Sequence, residues 1–270
     1  MRESDLISDQ TRRAHQDACC DPVFNWQDRQ DFDFASRGLI CRPDDRDIRD
    51  ADGDIVWHHE QFEAFLHGEA PATVHPSLWR HALLNNYRGL FKVCEGVWQV
   101  RGESLGNATF VQTDTGYICI DPLTTVETAR YAVELLYEHV GKRPIVGMIY
   151  SHTHSDHFGG VKGMITVEDV AKGRCLVVAS EGFTEWVLKE QGMAAEGMPS
   201  RNDYMYGENL EVSATGIVDT GLGQMIEGGE VTYIEPTDVI GTQGGAMVID
   251  GVEIEFMFAP GEAPTGMHCY

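Results

Sequence analysis

An apolar run, Pro144-Ile145-Val146-Gly147-Met148-Ile149-Tyr150, leads through Ser151 into His152-Thr153-His154-Ser155-Asp156-His157, and then into Phe158-Gly159-Gly160. No other stretch constrains the fold as tightly. A short apolar run bounded by turn residues reads as a buried strand, and Gly-Gly as a tight turn. The following Val161-Lys162-Gly163-Met164-Ile165 reads as the start of a helix. Such a strand delivers three imidazoles and a carboxylate to the mouth of a sheet. Functional groups commonly sit on loops held by a rigid frame of this kind.

Neutral imidazole and carboxylate suit zinc, at roughly 2.0–2.2 Å from the ion. In extended backbone, residues two apart point the same way, so His152 and His154 can converge on one cation. Asp156 and His157 come after the chain turns and can face a second. Two cations about 3.5–4 Å apart clamp the attacking and leaving oxygens of a hydrolysis. A lone histidine carries little meaning. Three histidines and an aspartate within six positions, between an apolar strand and a glycine turn, point to metal. Asp156 is also the candidate catalytic carboxylate.

Strands are expected at 91–93, 97–100, 108–112 and 116–120. A helix is expected at 125–140, where Val126, Ala129, Val133, Leu136 and Tyr137 form one stripe. Residues 181–190 read as a second helix, and 207–235 as glycine-rich with short strands. A hairpin is expected at 246–249 and 252–258 around Asp250-Gly251, a strong turn signal. Upstream, residues 1–27 read as a polar, flexible segment with a helix-like patch. Residues 28–90 read as an extension packing on the core, with 42–47 as a solvated loop and Asp52-Gly53-Asp54 as a hairpin turn. Ser200-Arg201 and Tyr204-Met205-Tyr206 read either as a substrate wall, since methionine and aromatic side chains suit an alkyl chain, or equally as ordinary core packing. Beyond that region no substrate-binding residue is assigned.

The formal charge of −23 argues against nucleic acid, which needs a basic face, and against anionic lipid. The seven cysteines are odd in number and show no paired spacing beyond Cys19-Cys20, so no disulfide framework is expected. The amino terminus has no apolar core typical of a signal peptide, which gives a cytoplasmic expectation. No apolar run approaches about 18 residues, so no membrane span is expected.

The pattern His152-x-His154-x-Asp156-His157 resembles the signature of the metallo-β-lactamase fold superfamily. That resemblance implies an α/β fold, an αββα sandwich with a metal site at one edge. Further blocks are similar to the alkylsulfatase family. They include Asp31-Phe32-Asp33-Phe34, His75-Pro76-Ser77-Leu78-Trp79-Arg80, Ile120-Asp121-Pro122-Leu123, Gly159-Gly160-Val161-Lys162-Gly163 and Pro260-Gly261-Glu262-Ala263-Pro264. The likeness runs from about residue 28 to the end. It implies hydrolysis of alkyl sulfate esters at a two-zinc centre; the alternatives are another hydrolase of the superfamily acting on lactones or thioesters, a redox member holding two irons, and a catalytically incomplete metal-binding fragment. His152 and His154 would bind one zinc, and Asp156 and His157 the other. Glu262 would reach both, and Asp121 would accept a hydrogen bond from a ligand histidine. The resemblance also implies a homodimer for full-length members, and a periplasmic or secreted location for many of them.

Two departures stand out. The family pattern near Glu262 is Pro-Gly-Thr-Glu-Ala-Pro-Ala-Glu-Met. Here one residue is missing before Glu262, and Gly266 stands where the second glutamate belongs. The resemblance also places a further glutamate, a third histidine of the second zinc, and the sulfate-gripping groups beyond Tyr270. The domain over 91–270 is therefore expected to be truncated, with an apolar face left exposed.

Overall fold

Alternation along the strands sets the layers. Cys119, Met148 and Val177 face one side of a sheet; their neighbours Ile118, Ile149 and Val178 face the other. Both sides are apolar, so the sheet must be covered twice. The computed structural model describes residues 6–44, 47–193, 195 and 197–270. Residues 1–5 of the amino-terminal segment, and Asp45 and Arg46 of the expected loop, lie outside the described residues.

The strands are β1 (Leu39–Cys41), β2 (Ile48–Arg49), β3 (Ile55–Trp57), β4 (Gly89–Cys94), β5 (Val97–Arg101), β6 (Ala108–Gln112), β7 (Tyr117–Ile120), β8 (Ile145–Ile149), β9 (Leu176–Ser180), β10 (Asp238–Ile240), β11 (Gly245–Ile249), β12 (Val252–Phe258) and β13 (Met267–Cys269). The helices are α1 (Asp9–Cys20), α2 (Gln30–Ser36), α3 (Glu60–Glu63), α4 (Pro76–Asn85), α5 (Val126–His139), α6 (Val167–Ala171), α7 (Phe183–Leu188) and α8 (Gly197–Tyr206).

Among the described residues the main sheet has eight strands in the order β1-β4-β5-β6-β7-β8-β9-β10. It is antiparallel from β1 to β7 and parallel from β7 to β10. Helix α5 makes the β7–β8 crossover. Thr125 caps it and accepts a hydrogen bond from the Thr128 N–H. Its stripe of Ala132, Val133 and Leu136 packs on the first face of the sheet. The second face is covered by the small sheet β11-β12-β13 through Ile249, Ile254, Phe256 and Met267. The order helix, sheet, sheet gives three of the four layers of an αββα sandwich, with mixed strand directions.

The outer face of the small sheet carries apolar and charged residues together. Register places Val248 opposite Glu253, Ala246 opposite Glu255 and Met257 opposite His268, all exposed. The period-two alternation therefore breaks the apolar residues up with charge.

The hairpin turn at Asp250-Gly251 forms as read, with both residues at positive φ as a type I′ turn requires. Other readings shift. After Gly160 the chain makes a single 3-10 turn, Val161–Gly163, and α6 begins only after Thr166. The glycines explain why. A Cβ on Gly160 would lie 2.2 Å from the Pro122 carbonyl oxygen, and one on Gly163 would lie 2.2 Å from the Val126 oxygen. The segment lies flat against the start of α5, and this contact replaces a longer helix. Gly160→Ala is therefore expected to destabilise the chain by about 1–3 kcal/mol through overpacking, measured as a shift of the urea midpoint. Residues 207–235 hold one isolated bridge, Val212 to Ile217, and no strand among the described residues.

In the amino-terminal region α1 is capped and meets the extension. Ser8 caps α1 by accepting from the Thr11 N–H at 3.1 Å, and His15 Nδ1 lies 3.0 Å from the Ala72 carbonyl oxygen. Phe62, Leu66, Trp79 and Val218 form a separate small core under α3 and α4.

Candidate metal centre

The parallel strands β7 and β8 end side by side, and ligands in open α/β sheets bind beyond such carboxyl ends. Asp121 follows β7 directly. It is not glycine, yet its φ is +58°, a conformation kept only where surrounding contacts hold it. Those contacts are visible. Asp121 Oδ1 accepts the Ser151 N–H at 2.8 Å, and Oδ2 accepts the Ser151 hydroxyl at 2.7 Å. Its own N–H donates to the Ile149 carbonyl oxygen at 2.9 Å. Asp121 thus locks the end of β8 just where the histidines begin.

From there the chain alternates. Thr153 is fully buried on one side, while His152 and His154 project on the other. The turn at Ser155–His157 brings Asp156 and His157 back towards them. Glu262 arrives from the β12–β13 connection. That connection is tied to the loop by the Met267 N–H, which donates to the Ser151 carbonyl oxygen at 2.8 Å, and to β9 by the Ser180 hydroxyl, which donates to the Thr265 carbonyl oxygen.

Two groups of donors result. His152 Nε2 and His154 Nδ1 are 3.2 Å apart, and Glu262 Oε1 lies 3.3 Å from His154 Nδ1, with Oε2 3.9 Å from His152 Nε2. His157 Nδ1 lies 2.8 Å from Asp121 Oδ2, and its Nε2 lies 3.0 Å from Asp156 Oδ2. The rings of His152 and His157 sit 4.0 Å apart at their centroids and join the groups. Donors at 2.0–2.2 Å from a shared tetrahedral ion stand about 3.3–3.6 Å from one another. The His152, His154 and Glu262 atoms match that spacing closely enough to hold one cation. All six residues singled out in the sequence are brought together.

The electrostatics of His152 suit a metal ligand. Burial, reinforced by the neighbouring His157 and His154, pushes the His152 pKa down to about 4, which leaves its lone pair free at neutral pH. For His157 burial opposes the charged form, but the hydrogen bonds to Asp121 and Asp156 outweigh it and push the pKa up to about 10. Asp156 is held below its ordinary value: burial opposes this, and the His157 hydrogen bond prevails. The Asp156 carboxylate therefore attracts positive charge at this point. Asp121 fixes His157 with Nδ1 donating and Nε2 facing Asp156. Supporting groups of this kind typically change metal affinity about 10–100-fold. Asp121→Asn is expected to weaken zinc binding by that factor, measured by competition with a chromophoric chelator.

A cleft of about 400 Å³ opens onto His154, Asp156 and Glu262. Arg201 and Tyr206 of the expected substrate wall line it, but Tyr204 is 94% exposed, and Ser200 and Met205 also point to solvent. Residues 200–206 lie on α8, and only one face of a helix can meet the cleft. Leu105, Thr124, Met198 and Ile226 also line it and were not singled out in the sequence. One signal was present: a Cβ on Gly106 would lie 2.6 Å from the Asp156 carbonyl oxygen, so that glycine marks where the β5–β6 connection meets the metal loop.

The sequence profile of the metallo-beta-lactamase superfamily matches residues 101–270, and the chain belongs to that superfamily. Its members usually bind metal, and the His152, His154 and Glu262 group is a fitting place for it. The chain is similar to alkylsulfatases within the superfamily. It is 42% identical over 91% of its length to a linear primary-alkylsulfatase of Pseudomonas sp., of which it covers 37%. It is equally identical, over the same share, to an alkyl/aryl-sulfatase of Saccharomyces cerevisiae, of which it covers 38%. The solved stereoselective inverting sec-alkylsulfatase from Pseudomonas sp. superposes with a TM-score of 0.92 at 38% identity, over 97% of this chain and 41% of that one. The chain spans about two fifths of the length of these relatives.

Proposed function

We propose that the chain carries the metal-binding part of a zinc-dependent alkylsulfatase. The reaction is R–O–SO₃⁻ plus water giving the alcohol and hydrogen sulfate. The observation that supports it most is the spacing of His152, His154 and Glu262 around one point, in a chain 42% identical to alkylsulfatases over 91% of its length. His152, His154 and Glu262 would hold one zinc, and Asp156 with His157 a second. Zinc bound there supplies positive charge for the sulfate oxygens and makes water acidic near neutral pH.

The remaining work falls to the protein. Asp121 and Ser151 keep the histidines in register. Neutral His152 keeps a lone pair available. Leu105, Met198, Tyr206 and Ile226 offer an apolar wall to the alkyl chain and exclude water from it. Arg201 brings a guanidinium to the same cleft, where it offsets Glu190 and Glu262 as an anionic head approaches.

Sulfate release from a medium-chain alkyl sulfate, followed with and without zinc, tests the reading. Release that needs zinc and stops with chelator is expected. Cleavage of acyl esters without sulfate release would move the chain to another branch of the superfamily. Binding of zinc without any turnover would leave a metal-binding segment that is catalytically incomplete. In heavy-oxygen water, label in the alcohol identifies C–O cleavage and label in sulfate identifies S–O cleavage.

A further inference from the structure

A second cavity, of about 500 Å³, lies between α2, α4 and the β5–β6 connection. It shares two lining residues with the metal cleft, Leu105 and Leu222. Leu222 stands on a tight turn in which the Thr220 hydroxyl accepts the Gly223 N–H at 3.1 Å. A Cβ on Gly223 would come within 3.1 Å of the Leu105 carbonyl oxygen, so the turn is pressed onto Leu105. Leu105 and Leu222 therefore border both spaces, and Leu222 remains 57% exposed. Beyond it, Phe34, Leu84 and Tyr87 continue the apolar lining.

The far side of this cavity carries the guanidinium of Arg101, and the cavity's one acidic lining residue among those described, Asp31, is paired with Arg80 instead. Arg101 donates from Nε to Gln99 Oε1 at 2.6 Å, and Gln99 Nε2 donates in turn to Thr109 Oγ1 at 2.9 Å. Its guanidinium carbon lies over the Phe91 ring, 4.5 Å from the centroid. These contacts fix the orientation of the side chain and leave its outer nitrogens without a carboxylate partner among the described residues. Burial pushes its pKa down, as expected for a cation lacking a counter-ion. The chain has 43 acidic and only 20 basic residues, so an unpaired half-buried arginine stands out. Arg80, in the same cavity, is already neutralised by Asp31 at 2.8 Å. Arginine held in a fixed plane suits a carboxylate, which it can grip with two parallel hydrogen bonds.

We infer that the cavity behind Leu105 and Leu222 receives the far end of the substrate chain, and that Arg101 selects chains ending in a carboxylate. The inference rests on the alkyl sulfate reading of the metal cleft. It names the substrate class as an amphiphile with sulfate at one end and carboxylate at the other.

Calorimetric binding to the zinc-loaded chain tests it, with decyl sulfate and the same chain bearing a terminal carboxylate as probes. The carboxylated probe is expected to bind at least about tenfold tighter, the gain typical of a hydrogen bond to a charged group. Arg101→Met should abolish that preference and leave decyl sulfate affinity unchanged within about twofold, since only the far end loses its partner. Arg101→Lys should keep a weaker preference. Ala35→Trp, which fills the cavity without touching the bonds of Arg101, should also abolish it and provides the test if Arg101→Met fails to fold. Equal binding of the two probes by the wild type overturns the subsite, as does a preference that survives in Arg101→Met or Ala35→Trp. If decyl sulfate itself does not bind, the alkyl sulfate reading fails and the subsite with it; binding without preference sinks the subsite alone.

Discussion

His154→Ala is expected to remove most of the zinc that the chain takes up. His154 Nδ1 is the donor closest to both partners of its group, 3.2 Å from His152 Nε2 and 3.3 Å from Glu262 Oε1. Without it only two donors remain, His152 and Glu262, too few for the four-coordinate shell that zinc prefers. The loss should exceed the roughly 10–100-fold seen when only a supporting group is removed. The fold should survive, because the His154 side chain is partly open to the cleft and its loss leaves no closed cavity. Elemental analysis after dialysis, with circular dichroism as the control, measures both. Unchanged zinc stoichiometry in a folded His154→Ala chain would refute the ligand assignment. A drop of one zinc with the other retained would place the remaining ion on Asp156 and His157.

How much of this was legible beforehand depended on how local each signal was. The metal loop is written in consecutive residues, and strand alternation turns that order directly into geometry. Helix α5 and the Asp250-Gly251 hairpin were legible for the same reason. Strands β9 and β10 were not read: Leu176–Ser180 is buried along nearly its whole length and shows no alternation, and Asp238–Ile240 has only three residues. Residues 207–235 looked like short strands, yet their backbone bonds go elsewhere. The Glu230 N–H donates to Glu127 Oε2 at 3.0 Å, and the Thr232 N–H to the Gly159 carbonyl oxygen at 2.7 Å. Glu262 was recognisable only through family resemblance. Its approach depends on Met267 meeting Ser151, a contact that no local pattern announces. Leu105 and Ile226 reach the cleft by the same kind of long-range packing, which explains why the walls were harder to read than the floor.

Glu103→Ala is expected to cost about 3–5 kcal/mol, a large part of the roughly 5–15 kcal/mol by which a domain is stable. Glu103 and Arg88 are both essentially inaccessible to solvent. Arg88 Nη1 lies 3.5 Å from Glu103 Oε1, and Arg88 Nε donates to Glu63 Oε1 at 3.0 Å. His59 Nε2 bonds the other Glu103 oxygen. Through this network the extension over 28–90 is joined to the start of the β5–β6 connection. Removing Glu103 leaves the buried Arg88 guanidinium with Glu63 alone, held through Nε, and the lost pairing of Nη1 where water cannot reach it is the source of the cost. Replacing Arg88 and Glu103 together with apolar residues of similar volume should recover much of the loss, because no lone buried charge then remains. The damage should also reach the cleft. Ser104, the next residue, donates to Glu227, and Leu105 donates its N–H to Glu227 Oε2 at 3.2 Å, so the same segment shapes the wall beside His154. Urea unfolding of the single and double variants separates the two contributions. A single variant as stable as wild type would mean that the buried ions do not hold the extension in place. A double variant no better than Glu103→Ala would mean that packing, and not stranded charge, sets the cost.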